Sequence, residues 1–233
     1  MPQAWRGLAL AAILTMPLVS AEMVLIEPAA VFPTVAAVPV EVLQKPGPLT
    51  PEESAMMRAH PETGCQMLKQ GGINAVSRAV VRSHHEKWDG TGYPDGKAGV
   101  AIHQFARIAT VADVFDALTS ARSYRAAQPP HAGYEYILAH AGRDFDPEVV
   151  DVFRESVAPH PPGTGVILSD GYCGIVKAVI PGRVNRPVVR VVLDPAGTPI
   201  APKEIDLAEH PGLTIVSADF DPWARPEAAG ASA

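Results

Sequence analysis

Cysteine is nearly absent from this chain: there are two in 233 residues, Cys65 and Cys173. That excludes a disulfide framework and a cysteine-built zinc knuckle, and it suits a reducing compartment. No long basic run is present, and the net charge is −6. Non-specific capture of nucleic acid through its phosphates is thereby excluded. No apolar run is long and unbroken enough for a stable membrane span, because Pro17 interrupts the one at residues 7–19. No glycine-rich phosphate loop and no internal repeat occur, and no histidine precedes His60. What remains is 47% hydrophobic and 19% charged, a composition able to bury a core. The length fits one medium domain or two small ones.

Residues 1–37 are an N-terminal segment of uncertain kind, and the least readable part of the chain is residues 22–40. "WRGLALAAILTM" reads as a helix rich in Ala and Leu. Arg6, the apolar run and Val19-Ser20-Ala21 also outline an export signal cleaved after Ala21, which is the alternative. Three prolines break residues 22–40 without a clean period. "LTPEESAMMRAH" then carries a strong helix start, with Thr50 as cap, Pro51 in the first turn and Glu53 closing a capping box. Pro61 is expected to bend that helix or restart it. Residues 73–87 are expected to form a second helix with Ile73, Val76, Val80 and Ser83 on one face. Residues 90–99 read as a loop. Residues 104–120 give the clearest helix, with Phe105, Ile108, Ala109, Ala112 and Phe115 on its apolar face. Shorter helices are expected over 132–141 and 147–157.

Near residue 160 the period changes from helical to alternating. "GVILSDGYCGIVKAVI" is expected to be a hairpin about Ser169-Asp170-Gly171. "RPVVRVVLD", "KEIDLAE" and "LTIVSAD" supply further strands. The expected fold class is mainly α, an incomplete helical bundle followed by a small all-β domain, a curled sheet or barrel. The expected domains are an N-terminal segment of uncertain kind at 1–37, a helical domain at 38–158, a β domain at 163–218 and a disordered tail at 219–233. Cys173 reads as a packed core thiol.

The chemistry-bearing residues are His60, His84, His85 and Asp113, all on or at the ends of expected helices. Imidazole and carboxylate together suit a first-row transition metal: iron, manganese or zinc. Neighbouring histidines on one helix point about 100° apart. His84 and His85 are therefore expected to serve two metals on either side of the helix rather than share one. The pair could equally be solvated at a helix C-terminus. Asp113, among Val111, Ala112 and Val114, needs a partner if buried. That partner is a metal, or an arginine such as Arg107 or Arg122.

Four segments resolve these alternatives together. "LQKPGPLTPEE…MRAHPETGCQML", "HHEKWDGTGYPDG", "ARIATVADVFDALTSARSYR" and "FDPEVVDVF" resemble, in order and spacing, the HD-GYP family of metal-dependent phosphohydrolases. The resemblance covers residues 38–157. It implies an all-helical bundle of HD-domain type holding divalent transition metal, iron or manganese. It implies hydrolysis of cyclic di-GMP to pGpG or GMP, in bacterial second-messenger signalling. By the same resemblance His60, His84, His85 and Asp113 are metal ligands. Gly92, Tyr93 and Pro94 shape the substrate side of the cleft, and Arg122 and Arg125 contact substrate phosphates. Cytoplasmic location is implied, with export the alternative if residues 1–21 are a signal. A cyclic dinucleotide and signalling proteins are the implied partners, and a nucleic-acid polymer is not among them. The β domain looks like the small extension that follows some members of the family.

One motif departs from the family. A His-Asp pair, in a motif like HDxGK, belongs shortly before "VPVEVLQKPG". The aligned residues 29–39, "AAVFPTVAAVP", hold no histidine, aspartate or lysine. The site then keeps four candidate ligands and lacks the aspartate expected to bridge the metals. Loss of that carboxylate is expected to lower the rate by orders of magnitude. Two alternatives follow: a truncated or frame-disrupted reading, in line with the family-like "LALAAIL", or a degenerate member. A degenerate member would be a catalytically inactive nucleotide-sensing or protein-interaction module.

Overall fold

A computed structural model describes residues 38–121, 126–218 and 220–221. The expectations for residues 1–37, for Arg122 and Arg125, and for most of the tail lie outside the described residues. Two compact units divide between Val157 and Ala158.

The first unit is helical: α1 (Val40–Leu43), α2 (Pro51–Gln70), α3 (Ala75–Ser83), α4 (Gln104–Thr119), α5 (Pro130–Ala139) and α6 (Pro147–Ser156). The start of α2 is set locally. The Thr50 hydroxyl accepts from the Glu53 N–H, and the Glu53 carboxylate accepts from the Thr50 N–H at 2.7 Å. Contrary to expectation, α2 does not restart at Pro61 but runs through it. Proline has no N–H for the carbonyl four residues back, that of Met57. The His60 ring takes that carbonyl instead, Nδ1–H donating at 2.6 Å.

α3 is shorter than the expected 73–87. Asn74 caps its start by accepting from the Ser77 N–H. Its end at Ser83 has a tertiary cause. Past Ser83 the backbone N–H groups turn to other partners: that of Glu86 donates to the Ser83 carbonyl three residues back, and those of Trp88 and Asp89 donate to the Asp144 and Arg143 carbonyls, while the His84 and His85 carbonyls accept from the Thr110 hydroxyl and the Tyr93 N–H. The buried face of α3 is Ser77, Val80, Val81 and Ser83, and Val76 turns outward at 41% exposure.

α4 follows the expected span to within a residue. It is buried over much of its circumference, at Ala106, Ile108, Thr110, Val111 and Ala112, because it packs on both sides. One side meets Leu68, Val80 and Val81. The other meets α5 and α6, where Tyr134, Ile137, Val149 and Phe153 close the main core. Phe115, Tyr134 and Phe153 stack edge-wise or tilted at 5.3–5.5 Å. Asp146 caps α6 and holds Arg107 of α4 at 2.5 Å.

The second unit is a five-stranded antiparallel sheet: β1 (Gly165–Leu168), β2 (Cys173–Ala178), β3 (Val188–Leu193), β4 (Pro199–Asp206) and β5 (Ile215–Ser217), in the order β4-β3-β2-β1-β5. The β1–β2 hairpin turns on Gly171, whose φ of +86° suits glycine. Val166, Leu168, Val176, Val189, Val191 and Leu207 form its core. Alternation sends Gly174 and Val176 of β2 inward. Cys173 is therefore half-buried rather than a core thiol, and both cysteines are free.

Candidate metal centre

Three imidazoles from two helices meet at one point. His60 comes from the middle of α2, and His84 and His85 from the turn that ends α3. Their ligand nitrogens all lie within 4.8 Å of one another. The ring centroids are 5.3 Å apart for His60–His84, 4.9 Å for His60–His85 and 4.1 Å for His84–His85. The expectation that His84 and His85 diverge is overturned. His84 is the cap and His85 lies beyond it, so helical spacing no longer applies.

Backbone hydrogen bonds select the ring nitrogen that faces inward. His60 Nδ1–H donates to the Met57 carbonyl at 2.6 Å, and His84 Nδ1–H to the Val81 carbonyl at 2.7 Å. A neutral imidazole with Nδ1 protonated carries its lone pair on Nε2. The two Nε2 atoms face each other at 3.2 Å. Two lone pairs at that distance repel unless a proton or a cation lies between them. An imidazole anchored through one nitrogen and presenting the other is also how metal-binding histidines are held. The donor set fits a first-row transition ion on this geometry.

Burial, and then the neighbouring His84 and His60, push the His85 imidazole down to about 3. Burial also lowers His84, against an opposing pull from Asp113. His84 and His85 are thus suited to the neutral form that ligates metal. Asp113 lies one turn beyond Thr110 on α4 and is half-buried. Its charge acts on His84 and helps burial raise Tyr93 to about 12. Its carboxylate stands outside the three-histidine set. The expected alternative partner, Arg107, is taken by Asp146.

The loop from Gly90 to Gly99 folds back onto the histidine turn. A Cβ on Gly92 would lie 2.3 Å from the Lys87 nitrogen and 2.6 Å from the His85 carbonyl oxygen, so only glycine allows this approach. The Tyr93 ring then stacks on His85 at 4.8 Å and 25°. The Tyr93–Pro94 peptide is cis. Sequence reasoning assigned no role to Glu86, which is 1% exposed. Its two carboxylate oxygens accept from the Asp95 N–H at 2.7 Å and the Lys97 N–H at 3.1 Å, pinning the loop. Arg82 clamps the same loop through a two-pronged bond to Asp95 and ties it to α2 through Glu62. A charged residue following two candidate ligands was the signal available for Glu86; its burial was not readable.

Beside the histidines opens a cleft of about 500 Å³, lined among others by Met57, Arg58, His84, His85, Tyr93 and Tyr136. Among the described residues, no helix is long and apolar enough to cross a membrane.

Comparison with known proteins places the chain in a family. The model described as "HD domain" matches residues 5–149, so the match takes in the N-terminal apolar run. That described as "KOW domain associated with HD domain" matches residues 165–223, the sheet unit. A cyclic di-GMP phosphodiesterase response regulator of Xanthomonas campestris pv. campestris is 48% identical over 117 residues, 49% of this chain and 31% of that protein. A cyclic di-GMP phosphodiesterase of Pseudomonas aeruginosa is 35% identical over 188 residues, 80% of this chain and 45% of that protein. A 3'3'-cGAMP-specific phosphodiesterase of Vibrio cholerae is 39% identical over 121 residues, 51% of this chain and 23% of that protein. The chain spans less than half the length of each of these relatives. The family match extends over more than half of the chain and agrees with the HD-GYP resemblance of its motifs: the chain belongs to the HD domain family.

Proposed function

We propose that this chain is a phosphohydrolase of HD-GYP type that binds a divalent transition metal, iron or manganese, and opens the phosphodiester of cyclic di-GMP to pGpG or GMP. The observation that carries this reading is the pair of anchored imidazoles whose Nε2 atoms face each other at 3.2 Å, with His85 beside them. His60, His84 and His85 hold the ion, with Asp113 as a further ligand from α4. When bound, the metal supplies Lewis-acid stabilisation of charge on the phosphoryl oxygens. Gly92 lets the loop approach, Tyr93 walls the cleft beside His85, and Pro94, joined to Tyr93 by a cis peptide, shapes the loop behind it. Arg122 and Arg125 neutralise phosphate charge. The relatives named for cyclic di-GMP and 3'3'-cGAMP turnover support the substrate class. The working compartment is then the cytoplasm, and the partners are a cyclic dinucleotide and proteins of the same signalling system.

A second reading rests on one observation, the absence of histidine, aspartate and lysine from residues 29–39. On it the chain senses a cyclic dinucleotide, or docks a protein partner, without turning the nucleotide over. Cyclic di-GMP hydrolysis by the manganese- or iron-loaded chain separates the two. Turnover that disappears in His84→Ala supports the enzyme. Nucleotide binding by metal-loaded chain without turnover supports the sensor.

A further inference from the structure

Two basic side chains, Arg58 and Lys87, line the cleft, and among the described residues only Lys87 has a carboxylate partner. Lys87 pairs with Asp144 at 3.3 Å. Arg58 pairs with no carboxylate among the described residues. It is exposed on α2, two residues before His60. Its guanidinium carbon stands 4.8 Å over the Tyr93 ring, and that ring is itself stacked on His85. The chain thus builds a ladder from cation to aromatic ring to imidazole, leading from the mouth of the cleft to the three histidines.

Holding a cation with an aromatic face differs from holding it with a carboxylate. The π face orients the guanidinium and leaves its charge in place. Its N–H donors lie in the guanidinium plane and stay available to a partner at the edge. Arg82 shows the opposite arrangement. Glu62 and Asp95 consume its charge and its donors, so it serves as a structural clamp. A planar fork of free donors at the entrance to a cleft matches the oxygens of a phosphodiester.

We propose that Arg58 recognises the phosphate of the ligand that enters this cleft, donating to its non-bridging oxygens, and that Tyr93 is the positioning residue that aims it. The proposal shares its cleft with the phosphohydrolase reading and rests on that reading for the identity of the ligand as a cyclic dinucleotide. It requires phosphate binding and does not require turnover.

The test uses the full chain treated with chelator, so that no metal holds the phosphate. Calorimetry at low ionic strength measures binding of cyclic di-GMP and of inorganic pyrophosphate. Arg58→Ala is expected to weaken both about 10- to 100-fold, the size of a lost charge-assisted contact. Arg58→Lys is expected to recover part of the loss. Tyr93→Leu removes the ring and is expected to lose about 2- to 5-fold, and Tyr93→Phe, which keeps the ring, is expected to lose less than Tyr93→Leu. In metal-loaded protein, Arg58→Ala is expected to raise KM and leave kcat within about twofold. Arg58→Ala that binds both probes as tightly as the unaltered chain overturns the proposal, whether or not cyclic di-GMP is hydrolysed. Unaltered chain that binds through Arg58 yet hydrolyses nothing sustains it and defeats only the hydrolytic reading. Unaltered chain that binds neither probe overturns the proposal for Arg58, and turnover by the metal-loaded chain then decides the hydrolytic reading by itself.

Discussion

The helical unit and the sheet unit treat polar groups in opposite ways. Every buried polar or charged residue among the described ones lies in the helical unit: His60, Ser77, Ser83, Glu86, Thr110, Asp144, Asp146 and Ser156. The sheet buries apolar side chains, and its charged ones pair outside, as Lys177 and Arg190 do with Glu204. Burying a polar group costs free energy unless it is hydrogen-bonded. The helical unit carries that cost where it positions three imidazoles and the loop against them. Among the described residues the sheet carries none of that cost.

Glu86→Leu attacks the difference hardest. It removes both acceptors of the loop N–H groups and is expected to cost roughly 3 kcal/mol in urea unfolding. It should also lower metal retention, measured by elemental analysis. A loss under about 1 kcal/mol with metal unchanged would show that the carboxylate does not hold the loop. Gly92→Ala drives a Cβ into the backbone of residues 85–87 and is expected to cost about 1–3 kcal/mol, again with loss of metal. Metal content equal to that of the unaltered chain would break the link between loop approach and histidine geometry. Val189→Ala is the mirror experiment. It opens the sheet core for about 2 kcal/mol and is expected to leave metal content alone. Metal loss in that variant would erase the division of labour.

Acid should strike one unit before the other. Arg82 and then Lys97 hold the Asp95 carboxyl well below the usual carboxylate range. The stability this pairing contributes is present above pH about 4 and is lost as the pH falls towards the lower folded value. Proteolysis at the Gly90–Gly99 loop is expected to rise on acidification of the unaltered chain and much less in Asp95→Asn. Equal acid sensitivity in both would remove Asp95 as the cause. The smallest effect is expected from Lys177→Ala on the exposed sheet surface, whose unfolding midpoint should match the unaltered chain within error.

What could be read from sequence follows the range of the forces involved. The start of α2 was legible because Thr50, Pro51 and Glu53 cap it within four residues. α4 was legible from its apolar content, and the β1–β2 hairpin from alternation broken by a turn. The identities of the three converging histidines were legible only through motif resemblance. Their geometry was not. The turn on which His84 and His85 converge is fixed by partners distant in sequence: the Trp88 and Asp89 N–H groups donate to the Asp144 and Arg143 carbonyls, and the His84 and His85 carbonyls accept from Thr110 and Tyr93. Pro61 reads locally as a helix breaker, but its missing N–H frees the Met57 carbonyl that fixes His60. Local rules report the missing bond and are silent about who takes its place. Arg107 and Asp113 share α4 and look like partners in sequence, whereas the fold brings Asp146, distant along the chain, to Arg107.

X-ray absorption at the metal edge of the manganese- or iron-loaded full chain tests the central claim most directly. The expected spectrum shows at least three imidazole nitrogens around the ion, falling by one in His60→Ala. A spectrum of oxygen ligands alone, or an ion that washes out of the unaltered chain as readily as out of His60→Ala, would contradict the convergence of the three histidines on a metal.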